Sequence, residues 1–183
     1  MIGKKNIVFG FLYLVLTAAL GPYMVVKMLP DVGIAQSEKQ AKVGRLQQLK
    51  INQFEEDLEK LSGKKIAEAN TDGILAINKL LNSRQPIDSV KSGAHAHGNL
   101  EALLNIAAGV VLCFIAVAPL FKQIISWIFI AGALVHSGSL YLLNFDQAWA
   151  LNLLPVGPWL VLAGLLLIGI ATIMGFKGEI VKD

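Results

Sequence analysis

The sequence predicts an all-α integral membrane protein: a four-helix bundle with an extramembrane helical hairpin between spans one and two. Three observations carry that expectation. Hydrophobic residues make up 55% of the 183-residue chain, and the mean hydropathy is +0.59, too apolar for a domain whose whole surface must be wetted. Four segments are long enough to cross about 30 Å of hydrocarbon, which takes about 20 helical residues. The charged residues gather between the first and second of these segments, mostly from Asp31 to Lys91. Helices are expected in the spans because lipid offers a backbone no hydrogen bonds, so each segment must satisfy its own.

Span one is expected over Ile7–Val26, "IVFGFLYLVLTAALGPYMVV". A cleaved signal peptide is the rival reading, with a basic start, an apolar core and Thr17-Ala18-Ala19 as a loose cleavage site. The apolar run continues well past that point. In the insert, Val43, Leu46, Phe54, Leu58 and Leu61 fall near one helical face, with charges elsewhere. Ser62-Gly63 breaks the pattern. A second stripe follows in Ile66, Ile74, Ile77, Leu80 and Leu81, ended between Asn82 and Pro86. Two antiparallel helices would bury these stripes against each other. Spans two, three and four are expected over Leu100–Phe121, Ile124–Phe145 and Val156–Phe176. The organisation is therefore residues 1–29 as the first membrane helix, 30–97 as an extracytoplasmic hairpin and loop, and 98–183 as helices two to four.

The short flanks set the orientation. Lys4 and Lys5 precede span one, Lys122 joins spans two and three, and Lys177 and Lys182 follow span four. The loop "DQAWALNLLP" has no Lys or Arg. The positive-inside rule then places both termini in the cytoplasm and residues 30–97 outside a plasma (inner) membrane. Trp149 and Trp159 suit the outer aromatic belt and Trp127 the inner one. The net charge of +3 is too small and too localised to call for nucleic acid. The lone Cys113 allows no disulfide or CxxC site within one chain. The expected partners are the lipid bilayer and other membrane subunits or further copies of this chain.

The candidate site lies where the second span begins, in "SGAHAHGNLEALLNIAAGVVL". His97, Glu101 and Asn105 stand at i, i+4 and i+8, one stripe of a helix. A lipid-facing carboxylate is costly, so the stripe should face the bundle interior. His136 of span three is expected at a depth similar to Asn105. Ser137, Ser139, Tyr141 and Asn144 continue the polar character outward, and span one adds Tyr23, Met24 and Met28. Polar and soft groups thus converge on the outer half, while the inner half reads as almost purely aliphatic, which argues against a pump or channel. A transition metal, copper or zinc, could take His95, His97, Glu101 and His136, with Met24 or Met28 as a soft ligand for Cu(I). Asn105, Ser139 and Tyr141 would stand behind them. His95 and His97 can chelate together only if their stretch is extended or irregular. Heme b is the alternative, with His97 and His136 as helix-borne imidazole ligands. The plainer reading keeps the histidines as packing and hydrogen-bonding groups.

The stretch "HAHGNLEALLNIAAG" resembles the second-helix signature of heme-copper oxidase subunit I and its nitric-oxide-reductase relatives. It is also similar to that of small four-span proteins like subunit I, through His95, His97, Asn99, Leu100 and Leu103. The resemblance implies a heme or metal near the outer face, with His97 the ligand of the pair. The distant helices that supply the remaining ligands in the oxidases have no counterpart here, so oxygen or nitric oxide reduction is not expected of this chain alone. The expectation is a heme- or metal-binding accessory or electron-transfer subunit of a respiratory or oxidase-type complex, not an enzyme on its own. The competing expectation is a non-catalytic structural or assembly subunit that docks through its hairpin. Solute transport is disfavoured, because no pair of spans is broken at mid-membrane.

Overall fold

Gly3–Ala18 forms helix α1 and Leu20–Tyr23 the short helix α2; a π-helical turn, Met24–Met28, leads into α3, Leu29–Ile51. These are the first elements of a computed structural model that describes residues 1–181. Lys182, one of the orienting lysines, lies outside the described residues. Two short antiparallel strands follow, β1 (Glu55–Glu56) and β2 (Glu59–Lys60), then α4, Gly63–Val90. A second π-helical turn, Lys91–His95, opens into α5, Ala96–Leu112. The remainder is α6 (Pro119–Val135), α7 (Ser137–Leu143), a 3₁₀ turn at Ala148–Leu153 and α8 (Gly157–Gly175). The described residues are therefore all-helical apart from the small β-hairpin, one bridge between Ile115 and Phe176, and the connecting turns.

Among the described residues, three helical runs are long and apolar enough to cross a membrane: Gly3–Ile51, Pro119–Leu143 and Gly157–Gly175. At 17 residues, α5 is shorter than the second span expected from the sequence, rising about 26 Å at 1.5 Å per residue. The structure differs from the expected boundary Leu100–Phe121: α5 ends at Leu112, Ile115 pairs with Phe176, and a new helix opens at Pro119. Ala118, the residue before it, is extended at ψ 132°, as the proline ring demands, and Pro119 then starts α6. Lys122 consequently lies inside α6 and is fully buried; it is not a loop lysine.

The chain divides into two compact units, Met1–Pro22 with the chain from Ser89 onward, and Tyr23–Asp88. The first unit is built on small residues. The buried face of α1 is Gly3, Asn6, Gly10, Tyr13 and Thr17, spaced alternately by three and four residues as in a coiled-coil seam. It meets α5 in antiparallel fashion. A Cβ on Gly10 would strike the Ala102 carbonyl oxygen at 2.6 Å, and one on Gly98 would strike the Thr17 side chain. Close approach of two backbones through such residues is how helices associate in lipid. Helices α6 and α8 pack likewise, with the Phe129 ring 3.3 Å from where a Cβ on Gly164 would lie. Of the glycines expected to permit contact, Gly109, Gly132 and Gly164 face a neighbouring helix and Gly169 does not. The apolar core of this unit holds Ala108, Leu112, Ile115, Ile125, Phe129 and Ala171.

Its polarity is inverted relative to a soluble domain. Asn6, Thr17, Glu101, Asn105, Lys122, Ser126, Ser137 and Ser139 are buried, while Phe11, Leu12, Val15, Leu162, Leu166 and Ile173 are exposed. The expectation of an aliphatic inner half does not hold. Asn6, Lys122 and Ser126 are buried near the end where α1 begins. There Asn6 Nδ2 donates to Asn105 Oδ1 (3.0 Å) and to the Ser126 carbonyl (3.0 Å), and the Ser126 hydroxyl donates to Asn6 Oδ1.

The second unit pairs α3 with α4, and its charges mark the antiparallel register. Lys79 Nζ lies 2.6 Å from Glu38 and Lys42 Nζ 2.7 Å from Asp72, while Gly73 leaves room for Leu46. The buried apolar residues of α3 and α4 here are Ala35, Leu49, Ala69, Ala76 and Leu80. Phe54 and Leu58 do not join a stripe. They sit in the β-hairpin at positive φ, 63° and 67°, and Leu58 is 97% exposed. The second helix also runs past its expected end, carrying Pro86 inside α4.

Candidate metal centre

The site is assembled by two helix starts and one helix break. His97 and Glu101 project from the first turns of α5, four residues apart and hence on one face. His136 occupies the joint between α6 and α7, with φ −89° and ψ −81°. The side-chain ligand atoms of His97, Glu101 and His136 all lie within 4.8 Å of one another. Glu101 is buried, His136 partly buried and His97 exposed.

Glu101 explains the break at His136. In an unbroken helix the Ser137 N–H would donate to the Ala133 carbonyl. Here it turns to Glu101 Oε2 at 3.3 Å. The Ala133 carbonyl is satisfied instead by the Ser137 hydroxyl at 3.0 Å or the Tyr13 hydroxyl at 3.3 Å. A carboxylate has inserted into the hydrogen-bond ladder, one of the recognised causes of a sharp helix kink. Gly157 at the start of α8 admits the displaced backbone, since a Cβ there would collide with the Cα, Cβ and N of His136.

The other carboxylate oxygen, Oε1, lies 2.5 Å from His136 Nδ1. With Glu101 ionised, Nδ1 carries the proton and Nε2 is the nitrogen left for an ion. This is the carboxylate–imidazole pairing that commonly stands behind a metal-bound histidine. The His97 and His136 ring centroids are 4.8 Å apart at 59°. Two imidazoles bound trans across a heme iron would need about 6 Å between centroids, given metal–nitrogen bonds of about 2.0–2.1 Å. Two imidazoles on adjacent positions of one tetrahedral ion would need about 5 Å by the same bond lengths. The donor set of imidazole and carboxylate is one that a borderline divalent ion can use.

The other expected residues are placed as follows. His95 Nδ1 sits 2.9 Å from the Thr17 carbonyl, and His95 is not part of the group of three. Its stretch is a π-helical turn, not an extended loop, so the ring is held against α1. Asn105 cross-links helices, donating to the Glu101 carbonyl (3.0 Å) and the Phe129 carbonyl (3.2 Å). Ser139 donates to the Val135 carbonyl at 2.6 Å. Tyr141 packs its ring on Phe145 at 5.2 Å. Met24 and Met28 belong to the second unit. Two residues of α1 were not anticipated. Tyr13 reaches Ser137 Oγ at 2.9 Å, and Thr17 donates to Asn99 Oδ1 at 2.8 Å. Their signal was present in the alternating three- and four-residue spacing of Gly3, Asn6, Gly10, Tyr13 and Thr17.

Comparison with protein-family models, with curated proteins and with solved structures finds no match for the chain. The site's chemistry therefore rests on its own geometry.

Proposed function

We propose that the chain is an integral membrane four-helix bundle, α5 joining the three apolar runs, that holds one transition-metal ion of the copper or zinc class. The ion would sit at the end of the bundle where α5 begins, coordinated by His97 and His136 with Glu101 beside them. The observation that carries this reading is the convergence of those three ligand atoms within 4.8 Å. The ring separation favours an ion over heme. Membrane insertion is supported by the inverted polarity of the bundle, since lipid accepts exposed leucine and phenylalanine and penalises exposed carboxylate and amide. The lysines near the opposite end support placing the site on the outer side. The resemblance around His95 and His97 supports service as an accessory or electron-transfer subunit in an oxidase-type assembly.

A structural subunit is the second reading. It is favoured by one observation: among the described residues every buried side-chain nitrogen and oxygen already has a hydrogen-bond partner without any ion. The two readings separate on metal content. Protein purified in detergent, analysed for elements and by visible absorption, should carry close to one copper or zinc per chain. His97→Ala and His136→Ala should each lose most of it while still inserting. Wild-type protein that stays metal-free after incubation with either ion leaves the structural reading, and a Soret band would restore heme.

A further inference from the structure

Tyr13 and Ser137 form a hydrogen-bonded chain that ends on the carboxylate of the candidate site. Hydrogen accounting fixes its direction. Glu101 Oε2 accepts from the Ser137 N–H at 3.3 Å and the Ser137 hydroxyl at 2.5 Å. Both hydroxyls also reach the Ala133 carbonyl, Ser137 at 3.0 Å and Tyr13 at 3.3 Å; the shorter contact to the carboxylate takes the Ser137 proton, so Ser137 Oγ accepts at its 2.9 Å contact with the Tyr13 hydroxyl. Oε1 meets His136 Nδ1 at 2.5 Å. In this arrangement the donors of the chain point toward the carboxylate, the Ala133 carbonyl taking only the longer contacts, and Tyr13, Ser137 and Glu101 are all buried. Hydrogen bonds to an ionised acceptor are the strong ones, and donors in series polarise one another.

We propose that Tyr13 and Ser137 are positioning residues for the metal centre. By saturating Oε2, they leave Oε1 as the acceptor for His136 Nδ1–H, and so present Nε2 of His136 toward His97. This rests on the metal reading of the site. It assigns α1 a part in that site, and it gives the break between α6 and α7 a purpose: the Ser137 N–H diverted from the helix ladder is one of the donors that orient Glu101. An imidazole ligates through one nitrogen only when the other holds the proton, so the network selects the tautomer that an ion needs.

The test uses the full chain in detergent micelles, with Co(II) as a spectroscopic substitute for zinc and ¹⁵N-labelled histidine to read the tautomer of His136 without metal. Ser137→Ala should weaken Co(II) binding about 10–100-fold, the usual cost of losing a partner that orients a ligand. Tyr13→Phe, a milder change that keeps the ring in place, should weaken it less but in the same direction. Both should shift metal-free His136 from a single Nδ1–H form toward a mixture. Thr172→Val, which removes an unrelated hydroxyl bonded to the Ile168 carbonyl, should change neither readout. If wild-type protein binds Co(II) and both variants match it in affinity and tautomer, the positioning role is overturned while the metal reading stands. If wild-type protein binds no Co(II), the metal reading falls, and the tautomer shift alone decides whether Tyr13 and Ser137 act on His136.

Discussion

Glu101 is the residue on which the site turns, because each of its oxygens has a distinct duty. Oε1 faces His136 and Oε2 takes two donors from Ser137. Glu101→Gln keeps one acceptor oxygen but points an amide N–H₂ at a donor. Glu101→Ala leaves two donors, the Ser137 N–H and His136 Nδ1–H, without an acceptor, while the Ser137 hydroxyl keeps the Ala133 carbonyl; each unsatisfied group costs about 1–3 kcal/mol when buried. Unfolding in a mixed detergent–denaturant series should therefore rank wild type above Glu101→Gln above Glu101→Ala, with Ala about 2 kcal/mol or more below wild type. Equal stability of all three would mean that the carboxylate is not held as described. The pairing of His97 with Glu101 was legible in the sequence from helical spacing, and His136 from its depth along the third span. His95 was misjudged for a physical reason. Two residues along a helix is more than half a turn, so neighbouring histidines face apart, and His95 finds the Thr17 carbonyl instead. Tyr13 was not singled out as a site residue, because it stands among Phe9, Phe11 and Tyr23 in one apolar span, and only its spacing from Gly3, Asn6, Gly10 and Thr17 sets it apart.

At the scale of elements, proline and glycine decided what hydropathy could not. An apolar window does not distinguish helix from loop, so the second span was drawn straight through the break before Pro119. Gly157 fell inside the expected fourth span with nothing to single it out, yet its missing side chain is what lets α8 approach the kink at His136. In the second unit the antiparallel pair of helices was readable from periodicity, but Phe54 and Leu58 kept the apolar rhythm beyond the real end of α3 at Ile51. The backbone turns there through positive φ, which no hydrophobic count reports. Two substitutions put this to the test. Leu80→Asp places a charge at a buried position of α4 and should destabilise the unit by at least about 3 kcal/mol. Leu58→Asp changes a side chain already in solvent and should stay within about 0.5 kcal/mol of wild type. Limited proteolysis of Tyr23–Asp88 reads both: rapid cleavage with Leu80→Asp and a wild-type pattern with Leu58→Asp are expected. The reverse order would place Leu58 in a packed stripe after all.

For the whole molecule, the two ends of the first unit differ in chemistry, and the proposed orientation rests on that difference. At one end α1 begins, α5 ends and the chain after α8 returns across Cys113 and Phe114, with Val181 N donating to the Cys113 carbonyl at 2.8 Å and Lys177 N to that of Phe114 at 2.8 Å. Lys5 caps this end, donating to Gln123 Oε1 at 2.9 Å and lying 3.9 Å over the Trp127 ring, an amphipathic pairing suited to a headgroup layer. Lys4 and Lys177 are exposed nearby in sequence. Lys122 no longer counts toward orientation, because it is buried within α6. The opposite end carries the three histidines and the exposed Trp149 and Trp159, with no Lys or Arg between Phe145 and Lys177. Under the proposed membrane reading, the remaining lysines would put their end in the cytoplasm. The insert is joined to the bundle after Pro22 and before Ser89, so it should share the side of the histidines. A reporter fused after Asp183 should be active in the cytoplasm, and one inserted at Ser62 should be active only outside. A cysteine at Ser62, in a Cys113→Ala background, should react with an impermeant maleimide in intact cells. Labelling that requires membrane disruption would reverse the orientation and open the His97–His136 site to the cytoplasmic metal supply.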